Sequence, residues 1–248
     1  MERALGIIAK VYMISIIIPV LNHAQALSRT LMALRKQTLK DFEIIIVDDG
    51  SSDHPAEIVK KFNDLPIHFM RWTENHGASA ARNEGSRLSR GEFLLFLDAD
   101  IVLHPFVLEK MTSLLAKNMN IDFVYGNFIW GNKIFKGVEF NVQTLKQKNY
   151  IPTTSLMRAS AFVGFDENLK RFQDWDLWLS MCEKGSRGVW LNEIIFHAEA
   201  SGPARISTWI PGFLHRIPWE KIGWMPERIQ KYREAEKIIK EKHHLDSV

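Results

Sequence analysis

Two aspartates stand one residue apart after an apolar run in the segment EFLLFLDADIVLHP, residues 92–105. Carboxylates this close repel each other and raise each other's pKa unless a positive charge compensates them. In an extended segment residues i and i+2 point to the same side, so we expect Asp98 and Asp100 to face one site. Their hard oxygen atoms suit Mg²⁺ or Mn²⁺, which keep other positions open for water and substrate phosphates. The pair indicates a cation site, with a helix cap beside a solvated carboxylate as the alternative.

A second pair of carboxylates ends the apolar run in IIIVDDGSSD, residues 44–53. Asp48 and Asp49 can accept hydrogen bonds from a nucleobase imide or a ribose hydroxyl. Gly50 and the serines allow the backbone to turn sharply into the next element. An Asp-Gly turn with a helix cap explains Gly50 but does not explain both aspartates.

A basic side chain follows in ENHGASAARNEG, residues 74–85, where a glycine-containing turn opens a helix. Helix N-termini attract anions, and an arginine beside one reaches a phosphate or a base. Arg82 is therefore a candidate for donor binding, and an ordinary surface arginine is the alternative.

The elements that position these residues alternate along the first half of the chain. Strands are predicted at 14–20, 42–50, 67–72 and 93–100, and helices at 24–37, 53–62 and 77–89. Continuously apolar strands separated by helices predict an α/β fold with a mostly parallel sheet and helices on both faces. Ligands of such sheets bind beyond the carboxyl ends of the strands, where all the polar clusters fall.

The second half is less regular but shows no linker composition. We predict a helix at 105–117, a strand at 122–128, an irregular stretch at 129–152, a helix at 174–185 and two short strands, GVWL and EIIFH. We therefore expect one domain over 1–202, with a nucleotide-sugar half at 13–104 and an acceptor half at 105–202. We expect residues 203–248 to form a C-terminal helical extension.

Four polar motifs follow strands in order: Pro19-Val-Leu-Asn22, 47–53, 75–83 and Asp98-Ala-Asp100. This ordered set resembles the family 2 inverting glycosyltransferases of the GT-A type, from about Ile14 to His197. The resemblance implies a GT-A fold and a nucleotide-sugar donor, with Asp49 at the base and Asp48 nearby. It also implies Mg²⁺ or Mn²⁺ at Asp98 and Asp100. The donor-binding candidates are Pro19, Asn22, Asp48, Asp49, Arg82 and Asp98.

The resemblance also implies a base that activates the acceptor, which aligns with Asp174 in RFQDWDLWLSM, residues 171–181. A helix cap is the alternative for Asp174. Asp176 lies about 200° around the helix and cannot share the pocket. Gln173 departs from the family, which usually has an acidic residue before the base, so the pKa and the acceptor contacts at this site are open. Leu21 stands where a tyrosine is common.

In several relatives a histidine at the position of His197 is a third metal ligand or contacts the diphosphate. Imidazole suits Mn²⁺ better than Mg²⁺. A polar surface histidine near a strand end is the alternative for His197.

The implied activity is metal-assisted transfer of a hexosyl group, with inversion, to a carbohydrate or lipid-linked acceptor in cell-surface polysaccharide or glycolipid assembly. A nucleotidyltransferase is an alternative, but PVLNHAQAL after the first strand lacks a glycine-rich basic loop. A non-catalytic nucleotide-sugar or carbohydrate-binding module is the other, and Gln173 is its best support.

Bulk properties restrict location and partners. With 46% hydrophobic and 25% charged residues the chain suits a soluble globular protein, and a net charge of +3 without a basic stripe argues against nucleic acid. The single cysteine fits a reducing compartment. Lys10 interrupts the apolar stretch 5–21, which we interpret as a strand and not as a signal or anchor. We expect a cytoplasmic protein.

The tail 203–248 carries Trp209, Trp219 and Trp224 among basic residues and prolines. This composition suits peripheral contact with the inner face of a membrane. Packing of the aromatic rings on the domain, or a homodimer contact, is the alternative. The last helix, from about Glu227, is charged on most faces and is expected to be solvated.

Overall fold

A computed structural model describes residues 14–198, 217, 219 and 225–245. The strands are β1 Ile14–Val20, β2 Phe42–Asp49, β3 Ile67–Trp72, β4 Phe93–Phe96, β5 Ile101–Leu103, β6 Phe123–Trp130, β7 Lys133–Phe135, β8 Leu156–Arg158 and β9 Gly188–Ala198. The helices are α1 Ala24–Arg35, α2 Pro55–Val59, α3 Ala78–Leu88, α4 Val107–Lys117, α5 Val142–Gln147, α6 Gln173–Glu183 and α7 Glu227–Lys242. Short 3₁₀ turns follow α2 at 60–62 and β8 at 159–161.

The described strands form one sheet in the order β3-β2-β1-β4-β8-β6-β9-β5, with β7 paired to β6. The first four of these strands are parallel, as predicted. β8 then lies antiparallel to both β4 and β6, so the second half makes the sheet mixed. Because β2, β1 and β4 are adjacent and parallel, their carboxyl ends lie at one edge of the sheet.

Helices cover both faces of the sheet, which confirms the predicted α/β architecture. Alternate residues of β1 point to opposite faces, so Ile16 packs with α1 and α4 while Ile17 packs with α3 and α6. A Cβ atom at Gly85 would lie 2.3 Å from Cγ2 of Ile17. Gly85 therefore permits the close approach of α3 to β1.

Three elements differ from the predictions. β4 ends at Phe96 instead of continuing through Asp100, and a turn follows in which the Ile101 N–H donates to the Asp98 carbonyl at 3.1 Å. The predicted short strands GVWL and EIIFH are one strand, β9, paired with β6 and β5. The stretch 129–152 contains the hairpin strand β7 and the helix α5.

The last helix is solvated on most of its faces, as predicted, but α7 also packs on the domain through two buried residues. Ile239 is fully buried in the same cluster as Trp178 of α6. Trp219 packs against Ile229 of α7, whereas Trp209 and Trp224 lie outside the described residues. Among the described helices, none combines the length and apolar character needed to cross a membrane.

Candidate functional site

The loops after β1 and β2 are tied together at the edge where the polar clusters meet. Pro19 of β1 stands opposite Val47 of β2. The Asn22 side-chain oxygen accepts from the Ser52 N–H at 2.8 Å and from its hydroxyl at 3.0 Å, while the Asn22 N–H donates to the Ser51 hydroxyl at 3.0 Å. Asn22 has φ +54, a left-handed conformation that asparagine tolerates better than most residues. Asn22 thus fixes the relative position of two loops.

Asp48 is a buried carboxylate with one oxygen free of hydrogen bonds. Its Oδ1 accepts from the Ser51 N–H at 2.9 Å. Its Oδ2 is 3.4 Å from Nε of Arg71 but makes no hydrogen bond. Arg71, whose side chain is 46% exposed, instead donates from Nη2 to the Ser51 carbonyl at 2.9 Å. A buried acceptor without a donor is unfavourable, and a ligand N–H reaching it would remove that penalty.

Asp49 has a different environment, since both of its oxygens accept backbone hydrogen bonds. The donors are the N–H groups of His76 at 2.6 Å and Gly77 at 2.9 Å, directly before α3. Gly77 has φ +96, where glycine is favoured, which explains its place in the turn. Asp49 therefore anchors the start of α3 to the end of β2.

Arg82 connects the end of β4 to the start of α6. Its side chain is 92% buried, with Nη2 donating to Oδ1 of Asp98 at 2.7 Å and Nη1 donating to Oε1 of Gln173 at 3.2 Å. The guanidinium carbon lies 5.3 Å from the centre of the Phe165 ring. The surface-arginine alternative is therefore wrong. Asp98 is 46% exposed and keeps access to solvent.

The expectation of an extended Asp98–Asp100 segment is wrong because the two residues belong to the turn after β4. His197 pairs with Val102 across β9 and β5, and its ring stacks on His104 with centroids 5.0 Å apart. Within the described ranges, no group of three or more His, Cys, Asp or Glu side chains is placed to hold a metal ion.

Asp98 and Asp100 nevertheless suit a hard cation that completes its coordination with substrate. Mg²⁺ is usually held by one or two carboxylates together with substrate phosphates, so a three-ligand protein cage is not required. Asp98 is half-exposed and Asp100 is half-buried, which leaves the turn accessible. The donor chemistry of the turn therefore fits Mg²⁺ or Mn²⁺.

Asp174 is the second residue of α6, and its environment is unusual for a carboxylate. Burial raises its pKa, while a hydrogen bond from the Asn149 side chain, the Trp175 N–H at 2.9 Å and the charge of Arg82 oppose the rise. The N-cap residue is Phe172, whose side chain makes no capping hydrogen bond. The Asp174 carboxylate does accept from the N–H groups of Asp174 and Trp175 in the first turn, so a helix-capping role stays the alternative for Asp174. A carboxylate with a raised pKa is suited to proton abstraction.

The sequence did not single out Asn149, although it contacts the candidate base. Its side-chain oxygen accepts from the Ile151 N–H at 3.2 Å, which leaves the amide nitrogen to donate to Asp174. Asn149 lies in the stretch predicted to be irregular, and no motif or spacing marks it. Only the packing of that stretch against α6 identifies it.

The sequence model of the family described as Glycosyl transferase family 2 matches residues 15–169, more than half of the 248-residue chain. The chain belongs to glycosyl transferase family 2. The matched region contains β1 to β8 and all the donor-side candidates, but ends before α6. Asp174 and His197 of this family 2 chain therefore lie outside the match.

A relative of this family 2 chain is UDP-Glc:alpha-D-GlcNAc-diphosphoundecaprenol beta-1,3-glucosyltransferase WfgD from Escherichia coli. It is 36% identical over 117 residues, covering 47% of this chain and 46% of the relative. For three curated relatives, this one included, the matched region covers 36% to 46% of the relative's own length. The chain thus spans less than half of each.

Two solved structures share the fold of this family 2 chain. S. aureus TarS 1-349 in complex with UDP-GlcNAc has a TM-score of 0.69 and 22% identity, over 79% of this chain and 61% of TarS. Mannosyltransferase PcManGT from Pyrobaculum calidifontis, in complex with GDP-Man and Mn²⁺, has a TM-score of 0.62 and 18% identity, over 79% and 59%. At these identities the likeness establishes the GT-A-type fold.

Proposed function

We propose that this chain transfers a sugar, with inversion, from a nucleotide-diphosphate sugar to an acceptor hydroxyl. The observation that carries the proposal is the arrangement around Arg82. This buried cation contacts the carboxylate after β4 and the first turn of α6, which also holds a carboxylate of raised pKa. We assign Asp98 to the donor side and Asp174 to the acceptor side of one site, and the contacts of Arg82 support this assignment. Membership of family 2 supports this assignment.

On the donor side, we assign the nucleoside to the loops after β1 and β2 and the diphosphate to the turn after β4. Oδ2 of Asp48 makes no hydrogen bond, although it lies 3.4 Å from Nε of Arg71. It therefore suits a nucleobase N–H better than Asp49, whose oxygens already accept two backbone hydrogen bonds. Asp98 and Asp100 would hold Mg²⁺ or Mn²⁺, which neutralises the charge of the leaving diphosphate. His197 would approach the same diphosphate from β9.

On the acceptor side, Asp174 takes the proton from the acceptor hydroxyl as its oxygen attacks the anomeric carbon. Attack opposite the bond to the diphosphate inverts the anomeric configuration. Asn149 and the Trp175 N–H hold the carboxylate in place, and its raised pKa increases its strength as a base. A single protein base without a protein nucleophile is what an inverting displacement requires.

The names of the comparison proteins guide the choice of substrates. TarS was solved with UDP-GlcNAc, PcManGT with GDP-Man and Mn²⁺, and the name of WfgD describes an acceptor linked to diphosphoundecaprenol. We therefore propose a hexosyl donor and a carbohydrate or lipid-linked acceptor in cell-surface polysaccharide or glycolipid assembly. We also propose that the protein works in the cytoplasm, with residues 203–248 providing membrane contact or a homodimer contact.

Thermal unfolding with UDP, GDP, dTDP and CDP sugars, with and without Mn²⁺, tests the donor side, because a ligand of the native state raises the melting temperature. We expect one nucleotide class to stabilise the wild type in the presence of Mn²⁺ and to lose this effect in Asp100→Ala. Gln143→Ala, at an exposed position of α5, is the control. No stabilisation by any nucleotide sugar would refute the proposal.

Product analysis separates the proposed activity from its alternatives. A transferase releases nucleoside diphosphate and forms a glycoside of inverted configuration, whereas a nucleotidyltransferase releases pyrophosphate. A non-catalytic module would bind the donor without transfer or hydrolysis. Flotation with anionic vesicles, with and without residues 203–248, tests the membrane contact.

A further inference from the structure

Gln173 uses both ends of its side-chain amide. Its Oε1 accepts from Nη1 of Arg82 at 3.2 Å, and its Nε2 donates to the Leu169 carbonyl at 2.7 Å. A carbonyl oxygen only accepts and an amide NH₂ only donates, so these partners fix the orientation of the amide. A glutamate could accept from Arg82 but could not donate to Leu169. The acidic residue expected at this position would therefore make different contacts.

The charge of Arg82 acts on two functional carboxylates. Asp98 forms a direct ion pair with it, and Asp174 experiences its charge at longer range. Gln173 gives Nη1 a neutral acceptor, while Nε of Arg82 is buried without a hydrogen bond. A carboxylate at position 173 would draw the cation toward itself. The polar groups that act on Asp174 are Arg82 from α3, Asn149 from the segment between α5 and β8, and two backbone N–H groups of α6, those of Trp175 and of Asp174 itself.

We propose that Gln173 and Arg82 are positioning residues that join the donor-side carboxylate Asp98 to the base Asp174. Because the amide at position 173 is neutral, it does not compete with Asp98 and Asp174 for the electrostatic attraction of Arg82. This inference rests on the proposed function, in which Asp98 serves the donor and Asp174 serves the acceptor. Under this proposal, the glutamine in place of the usual acidic residue at position 173 contributes to catalysis and is not a sign of lost activity.

A titration without substrate tests whether Gln173 and Arg82 act on the charge state of Asp174. The Asp174 carboxyl is followed by ¹³C NMR of aspartate-labelled protein, with Asp174→Asn used to assign the signal. In Gln173→Glu we expect the pKa of Asp174 to rise by about one unit, because a like charge is added beside it and Arg82 is drawn away. Gln143→Glu adds the same charge at an exposed site and should leave the titration unchanged. An unchanged Asp174 titration in Gln173→Glu overturns the proposal.

Kinetics test the coupling once the donor class is known. Gln173→Met keeps the length of the side chain but removes both hydrogen bonds, and we expect kcat to fall about 10-fold or more with donor KM little changed. In an Arg82→Lys background the same substitution should have a much smaller effect, because paired residues are not additive. Fully additive effects overturn the proposal. Wild-type turnover by Asp174→Asn would instead refute the assignment of Asp174 as the base. The substrate-free titration distinguishes the two outcomes, because it tests the coupling through Gln173 and Arg82 without turnover.

Discussion

Replacing His243 by glutamine should loosen α7 from α6 and destabilise the fold by about 1.5–4 kcal/mol. The His243 side chain is 2% exposed, with Nε2 2.8 Å from Oδ1 of Asp176 and Nδ1 2.7 Å from Oε1 of Glu183. Both ring nitrogens face carboxylates, and both can donate only in the imidazolium form. His243 is therefore a buried cation that joins the end of α7 to the helix that carries the candidate base.

The magnitude follows from the exposure of the partners. A hydrogen bond to a charged group contributes about 1.5–3 kcal/mol when buried. Asp176 is 3% exposed, so this range applies to its bond with His243. Lys242 also contacts Oδ1 of Asp176 at 2.8 Å and would still compensate part of the Asp176 charge in the variant. Glu183 is 55% exposed, so its bond adds about 0–1 kcal/mol. Glutamine replaces one donor but turns its carbonyl oxygen toward the other carboxylate.

The effect should depend on pH in a defined direction. Burial lowers the pKa of His243, but hydrogen bonds and charges of Asp176 and Glu183 outweigh burial and raise it. A raised folded-state pKa gives stability that is fully present below the unfolded value of about 6.5 and is lost as pH rises through the folded value. Lys242 and Asp166 complete the charged groups around this contact.

Thermal unfolding of His243→Gln between pH 5.5 and 10 provides the assay. At pH 6 we expect a melting temperature about 5–12 °C below that of the wild type, and a smaller difference at high pH. The exposed neighbour His244 offers a matched control, and His244→Gln should melt like the wild type. A pH-independent difference, or none at pH 6, would refute the assignment of a buried imidazolium.

Three further predictions concern the site and its supporting helix. Asp174→Asn should reduce turnover by about 10²–10⁴-fold with donor binding intact, and it should melt no lower than the wild type at pH 7. The raised folded-state pKa means that the charged form of Asp174 costs stability at any pH above its unfolded pKa. Asn149→Ala removes a donor that stabilises the Asp174 carboxylate, so the acidic limb of the kcat/KM profile should move to higher pH, and an unmoved limb would exclude this contact. Burial raises the pKa of the Cys182 thiol to about 12. Native protein should therefore react with iodoacetamide at pH 8 far more slowly than urea-unfolded protein, and equal rates would contradict the place of Cys182 in α6.

The parallel half of the sheet was predictable because its signals are local. β1 and β2 are continuous apolar runs that end in turn residues, and each is followed by a helix with apolar residues spaced by three and four. Parallel pairing then brings Val20 beside Asp48 without any further information. The donor-side candidates could therefore be placed at one edge from the sequence alone.

The features that were missed depend on contacts distant in sequence. The segment 93–100 is apolar enough for a longer strand, yet the chain turns after Phe96 and Asp98 pairs with Arg82. β5 then pairs with β9, about a hundred residues later in the chain. Asn149 has no local signature because its role comes from contact with α6.

The docking of the last helix on the domain was missed for a related reason. Its composition is charged on most faces, which predicts solvation when the helix is considered alone. Ile229 and Ile239 are nevertheless buried, and the acidic partners of His243 belong to α6, far away in sequence. Hydrophobic periodicity cannot identify a helix that docks through two apolar residues and a charged cluster.

The central claim is that acidic residues at the ends of β2 and β4 bind a metal-diphosphate group. A crystal structure with a nucleoside diphosphate and Mn²⁺ tests this claim most directly. We predict anomalous density for one manganese ion contacting a carboxylate of Asp98 or Asp100 and the diphosphate, with the base near Asp48. A nucleotide bound elsewhere on the protein, with no manganese at the turn after β4, would contradict the account.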